Sequence, residues 1–161
     1  MKSLLLPLGL LAASALATPA LAQPAVPSVQ PFMVGFSVAD IDKMTAWYGD
    51  ILGFKVTKEV PMGQGGGKVR FIESGGQRIE LVFSPGSKPG PVKSMPPAHA
   101  ALQGNVQLTM EVPDLDAARA AMLAKGVKLP MAITPIPPLG IRIMFFQDPE
   151  GNLLELVQRL K

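Results

Sequence analysis

The chain has no cysteine, which excludes disulfides and thiolate chemistry. Histidine occurs once, at position 99. That excludes most multi-histidine metal sites and leaves the usual Ser-His-Asp triad without independent support. Charge is sparse: 17% of the 161 residues are Asp, Glu, Lys or Arg, with a net charge of +3. The basic residues form no stripe, so nucleic acid is not an expected partner. Long apolar runs are absent except near the start, where Leu4 to Ala17 is too short to span a bilayer comfortably.

That apolar run follows the positive pair Met1-Lys2 and precedes the small-x-small sequence Ala20-Leu21-Ala22. This is the layout of a secretory signal peptide cleaved after Ala22. Pro7, Pro19 and the shortness of the run argue against an uncleaved anchor. The expectation is a secreted or periplasmic protein that starts at Gln23 and carries no membrane segment after cleavage. Loss of Lys2 lowers its net charge to +2. Lacking disulfides, it must depend on its core. Residues 23–31, QPAVPSVQP, predict a flexible leader.

What is present is a pattern that occurs twice. In MVGFSV (33–38), Val34, Phe36 and Val38 alternate with Met33, Gly35 and Ser37, which predicts a strand. Asp40 then caps a predicted helix of about 12 residues, with Ile41, Met44, Trp47, Tyr48 and Ile51 on one face and Gly53 at its end. Strands follow at 54–60, 69–74 and 78–83, the last two joined by the turn Gly75-Gly76. The order is βαβββ over residues 32–83. A segment with five prolines, 84–104, reads as a crossover linker.

Residues 105–161 repeat the module. VQLTMEV (106–112) alternates, Asp114 caps LDAARAAMLAKG, VKL and a Pro-rich loop (130–140) follow, then IRIMFFQ (141–147), the turn DPEG and NLLELVQRL. Phe36-Ser-Val-Ala-Asp-Ile-Asp aligns with Met110-Glu-Val-Pro-Asp-Leu-Asp at an offset of 74 residues. Gly76 to Val82 aligns with Gly151 to Val157 at an offset of 75. A tandem duplication predicts an α+β fold in which two βαβββ modules form a curved, mixed eight-stranded sheet with helices outside.

The duplication also nominates a site. Glu80 and Glu155 stand at matching positions inside apolar strands, where an unpaired charge is costly. Met33 and Gln107 match on the first strands, on the face opposite the helices. The repeat therefore points to Met33, Glu80, Gln107 and Glu155 on the concave side of the sheet.

The sequences VADIDKMTAWYGDILGF and DPEGNLLEL, set in a duplicated βαβββ frame, resemble the vicinal oxygen chelate superfamily. That superfamily includes glyoxalase I, bleomycin- and fosfomycin-resistance proteins and extradiol dioxygenases. The resemblance covers roughly residues 32–160. Glyoxalase-type members hold a divalent metal with one residue on each first strand and one glutamate on each last strand. By position, the resemblance implies Glu80, Gln107 and Glu155 as ligands of a divalent ion of unknown identity. A thioether at Met33 does not suit a hard ion. Two carboxylates and an amide, with no imidazole, suit a hard ion that keeps several waters.

Two functions remain open. One is a glyoxalase-like lyase or isomerase acting on a small molecule with adjacent oxygens, with Glu80 or Glu155 as base. The other is a metal-free small-molecule binding protein of the bleomycin-resistance type, with the acids paired to Gln107, Arg70 or Arg142. Arg142 is also a candidate clamp for a substrate carboxylate in the pocket. His99 could swing in to supply the missing first ligand, but its Pro-rich context favours an exposed loop histidine. GQGGGK lacks the Gly-Lys-Ser/Thr ending of a phosphate loop and opens no helix. In this family modules pair within a chain or between chains, so a homodimer is an admissible partner arrangement.

Overall fold

The computed structural model describes residues 30–160. The expected signal peptide and residues 23–29 of the leader lie outside them. The first module comprises β1 (Val34–Val38), α1 (Ile41–Leu52), β2 (Lys55–Met62), β3 (Gly67–Ser74) and β4 (Gln77–Phe83). The second comprises β5 (Leu108–Glu111), α2 (Leu115–Ala124), β6 (Thr134–Ile136), β7 (Ile141–Gln147) and β8 (Leu153–Arg159). Both belong to one compact unit that begins at Phe32.

The strand orders are β1-β4-β3-β2 and β5-β8-β7-β6. The first strand of each module pairs in parallel with the last, and the other pairs are antiparallel. The α+β class and the repeated βαβββ order are as the sequence predicts. The eight strands form two four-stranded sheets, each with its first strand at an edge. Gly35 and Phe36 of β1 line a small pocket of about 170 Å³ together with Leu108 of β5 and Gln107 just before it. Paired strands sit about 4.8 Å apart, too close to leave such a space, so the two edges are neighbours without forming one ladder.

Local chemistry sets the elements. Asp40 accepts hydrogen bonds from the N–H groups of Asp42 and Lys43 at 3.1 and 2.9 Å, and Gly53 ends α1 in the left-handed region at φ 70°. Ile41, Met44 and Tyr48 are buried from α1, as are Leu115 and Met122 from α2. These pack on Ile72, Ile79, Leu81, Met144, Phe146, Leu154 and Leu156 from the helix-facing sides of the sheets. The second strand of the second module lies within the Pro-rich stretch rather than at VKL. Pro135 is tolerated there because β6 is an edge strand.

The modules are clasped together at one end. The buried Tyr48 hydroxyl of α1 donates to Asp148 Oδ2 at 3.0 Å. Glu150 accepts from the N–H of Ala39 at 3.0 Å, where β1 turns into α1. Trp47 packs against Phe146, with ring centroids 6.4 Å apart. Asp148 also accepts from the N–H groups of Glu150 and Asn152, both at 2.9 Å. The DPEG turn is thus both a turn and the contact between modules.

Candidate functional site

Register assigns each side chain to a face. On β8, Leu154 and Leu156 belong to the helix-side core, so Glu155 and Val157 face the other way. Thr109 of β5 is the register partner of Glu155. Its hydroxyl donates to Glu155 Oε2 at 2.6 Å, and Gln107 Nε2 donates to the same oxygen at 3.1 Å. Glu155 is 8% exposed, and with Asp148 it makes up the buried charged residues described. Two donors on one oxygen offset its burial and leave Oε1 without a hydrogen bond among the described residues.

Below Glu155 the concave face opens into a groove of about 760 Å³. Thr109, Glu111, Val157 and Arg159 line it, with Gly140 and Leu160 at the rim. Glu111 accepts from Arg159 Nε at 3.1 Å, so this part of the wall carries a self-neutralised pair. Glu155 is the uncompensated charge at the inner end.

In the first module, Glu80 is the register partner of Gly35. A Cβ on Gly35 would stand 3.3 Å from Glu80 Oε2, so this carboxylate leans over β1 toward the seam with β5. Among the described residues it makes no hydrogen bond. Across the seam, Gln107 shares the small pocket with Gly35. The structure therefore brings Gln107 and Glu155 into direct contact and sets Glu80 on the other side of the same seam. Met33 is 38% exposed, two residues before Gly35 on the same face.

Two expectations require correction. Arg142 is the register partner of Gln158 and stands on the helix side of the sheet. Its Nη2 donates to Gln158 Oε1 at 2.6 Å and to Asp116 Oδ2 at 2.8 Å, which ties it to α2 and away from the pocket. The strand's mixed composition hid this parity, because Phe145 on the concave side is as buried as Met144 beneath it. His99 is not an exposed loop residue. It is half-buried, with its ring 5.5 Å from that of Phe145.

The cover over Phe145 is the linker. Lys93 N–H donates to Gly151 O at 3.0 Å, and Lys93 Nζ to Asn105 O at 3.0 Å. Between these anchors a short 3-10 turn, Ala98–Ala100, carries His99. Phe145 at 6% and Leu153 at 2% exposure lie outside the helix-side core, on the same face as Glu155. Arg70, the remaining candidate partner for the acids, engages Glu59 and Asp42 instead. Thr109 and Gly35 were missed by sequence reasoning. The repeat offset and a parallel pairing of first and last strands were the signals that could have found them.

Two βαβββ modules, each presenting a glutamate from its last strand on the face away from its helix, define an α+β protein. The model of the Glyoxalase/Bleomycin resistance protein/Dioxygenase superfamily matches residues 30–156, and the chain belongs to that superfamily. It is 28% identical over 127 residues to human mitochondrial methylmalonyl-CoA epimerase, covering 78% of this chain and 71% of that protein. A glyoxalase family protein from Bacillus cereus is similar in fold at a TM-score of 0.69 and 17% identity, covering 87% of this chain and 100% of that one. A genomically encoded fosfomycin resistance protein from Listeria monocytogenes gives a TM-score of 0.59 at 16% identity, covering 81% and 93%.

Proposed function

We propose that this is an exported, divalent-metal-dependent lyase or isomerase acting on a small molecule with adjacent oxygens. The observation that carries the reading is the buried Glu155 carboxylate, held through Oε2 by Gln107 and Thr109, across a seam from the Glu80 carboxylate, with Glu155 Oε1 and Glu80 making no hydrogen bond among the described residues. Glu155, Gln107 and Glu80 offer oxygen donors of the kind a hard cation takes, although the described residues hold no group of three or more His, Asp or Glu side chains gathered closely enough to bind one. Similarity to an epimerase supports the isomerase branch.

A divalent ion bound there would supply Lewis acidity toward two neighbouring substrate oxygens. The protein's own residues do the rest. Thr109 and Gln107 hold the Glu155 carboxylate through Oε2, which leaves Oε1 without a hydrogen bond among the described residues. Glu80, which makes no hydrogen bond among the described residues, takes the proton from the carbon beside a substrate carbonyl. It returns that proton to the same or the adjacent carbon. The linker excludes water from the Phe145 end, while the groove past Val157 admits the substrate.

A metal-free sequestering protein is the second reading, favoured by Met33 at a position where a hard ion would want oxygen or nitrogen. Metal content separates the two. The tag-free chain is analysed as purified and after equilibration with Mg, Mn, Ni, Zn and Fe(II), beside Glu80→Gln and Glu155→Gln. Near-stoichiometric metal that drops in both variants supports the enzyme. Absence of metal under every condition, with both variants as stable as the parent, points to the binding protein. Export is tested separately by N-terminal sequencing of protein from the periplasm or medium, with Gln23 as the expected first residue.

A further inference from the structure

Glu80 and Glu155 each have an aromatic residue as cross-strand register partner, Phe71 and Phe145. The repeat matches these two aromatics, but their cover differs. Phe145 is 6% exposed beneath the linker, with the His99 ring set edge-on to it at 5.5 Å. Phe71 is only half-buried and lines a cavity of about 380 Å³. That volume falls within the range of small-molecule pockets, roughly 300–1,000 Å³. Where the second module lays a ring of its own chain on the aromatic beside its glutamate, the first module leaves a space.

The lining of that space says what it takes. Ile72 and Ile79 belong to the helix-side core, so Phe71, Glu73, Arg78 and Glu80 share the other face. Lys58 of β2 is the register partner of Phe71, and Glu73 is that of Arg78. Arg78 Nε donates to Glu73 Oε1 at 2.5 Å, which leaves both terminal nitrogens of the guanidinium without a hydrogen bond among the described residues. Lys58 lines the cavity with no ion pair among those residues. Two cations and one carboxylate give the lining a net charge of +1. Phe32, 68% exposed, completes the wall, with the Arg78 guanidinium 4.8 Å from its ring centroid. An aromatic face left beside water gains from a second ring laid against it. The free fork of a guanidinium matches a carboxylate, and a charge of +1 balances one carboxylate but only part of a phosphate dianion.

We propose that this cavity of the first module binds an aromatic carboxylate, with its ring against Phe32 and Phe71 and its charge on Arg78 and Lys58. Binding there needs no metal. Because Phe71 adjoins Glu80, the bound group is also the recognised end of the substrate, and that further step rests on the enzyme reading given above.

Calorimetry on the full, tag-free chain in chelator tests this, with 2-naphthoate as the probe. Its neutral analogue 2-naphthamide and the ringless acid octanoate serve as comparisons. The parent should bind 2-naphthoate about tenfold or more tightly than either. Arg78→Gln and Lys58→Gln should each weaken 2-naphthoate about fivefold or more while leaving 2-naphthamide unchanged. Phe32→Ala should weaken both ring compounds. Melting curves check each variant, and the exposed positions Lys58 and Phe32 carry the test if Arg78→Gln does not fold. Failure of 2-naphthoate to bind, equal affinity for 2-naphthamide, or binding untouched by Lys58→Gln and Phe32→Ala would each overturn the proposal. The expected pattern in a chain that takes up no metal under any condition supports the cavity and removes the enzyme reading. Metal lost on Glu80→Gln, with no 2-naphthoate binding in the parent, overturns the cavity and leaves that reading in place.

Discussion

Thr109 and Glu155 are register partners on adjacent parallel strands, and the Thr109 hydroxyl donates to the Glu155 carboxylate at 2.6 Å. The matching pair in the first module is Gly35 and Glu80, where no hydroxyl exists to make that bond. A duplicated frame has thus kept both acids and given them different surroundings. Such divergence of environment is how two carboxylates on one fold take different roles.

Thr109→Val removes the donor and keeps the shape of the side chain. A hydrogen bond to a charged group contributes about 1.5–3 kcal/mol, so unfolding by urea should show a loss in that range. Gly35→Ala is the complementary change. Its new methyl would stand 3.3 Å from Glu80 Oε2 and displace that carboxylate. It should weaken metal binding while costing little stability, as read by calorimetry and a melting curve on the same sample.

The clasp between modules predicts an alkaline dependence. Burial, followed by the Asp148 charge and the hydrogen bond to it, raises the Tyr48 hydroxyl far above its ordinary pKa of 10.0. Above that pH the unfolded chain loses the Tyr48 proton while the native chain keeps it. The native state then binds more protons, so stability falls as pH rises past the ordinary tyrosine value. Tyr48→Phe should cost about 1–3 kcal/mol at neutral pH and flatten the decline above pH 10 relative to the parent. Denaturant midpoints measured from neutral to strongly alkaline pH give both quantities.

Gly151 holds the linker against the second module. Its φ is 82°, and a Cβ there would lie 2.9 Å from Val92 Cγ1. Gly151→Ala meets both backbone strain and a clash, and should destabilise by about 1–3 kcal/mol. Val92→Ala in the same chain removes the two nearest methyls and leaves its Cβ at 3.2 Å, so the double variant should recover part of the loss. Hydrogen exchange of residues 92–105 should quicken in Gly151→Ala, because the Lys93–Gly151 bond is the anchor that is disturbed.

How much of this was legible in the sequence depended on what each inference used. The period of apolar residues and the caps at Asp40 and Asp114 placed both helices and most strands, because burial and capping are local. The repeat offset placed Glu80, Gln107 and Glu155 on the faces where they are found, since alternation along a strand transfers between copies. Arg142 was not legible: its strand is apolar on both faces, because the linker buries Phe145 on one side while α2 and the core bury Met144 on the other. His99 failed for the same reason. Proline content marks a segment as irregular but does not say what it docks against.

Mn²⁺ binding followed by electron paramagnetic resonance tests most directly whether the two modules together build one cation site. Free Mn²⁺ is counted in titrations of the parent, Glu80→Gln, Glu155→Gln and the double variant. The prediction is one site per chain in the parent, weakened at least tenfold in each single variant, with the double variant little worse than the weaker single. Unchanged binding in either single variant, or a parent that leaves all the Mn²⁺ free, would contradict it.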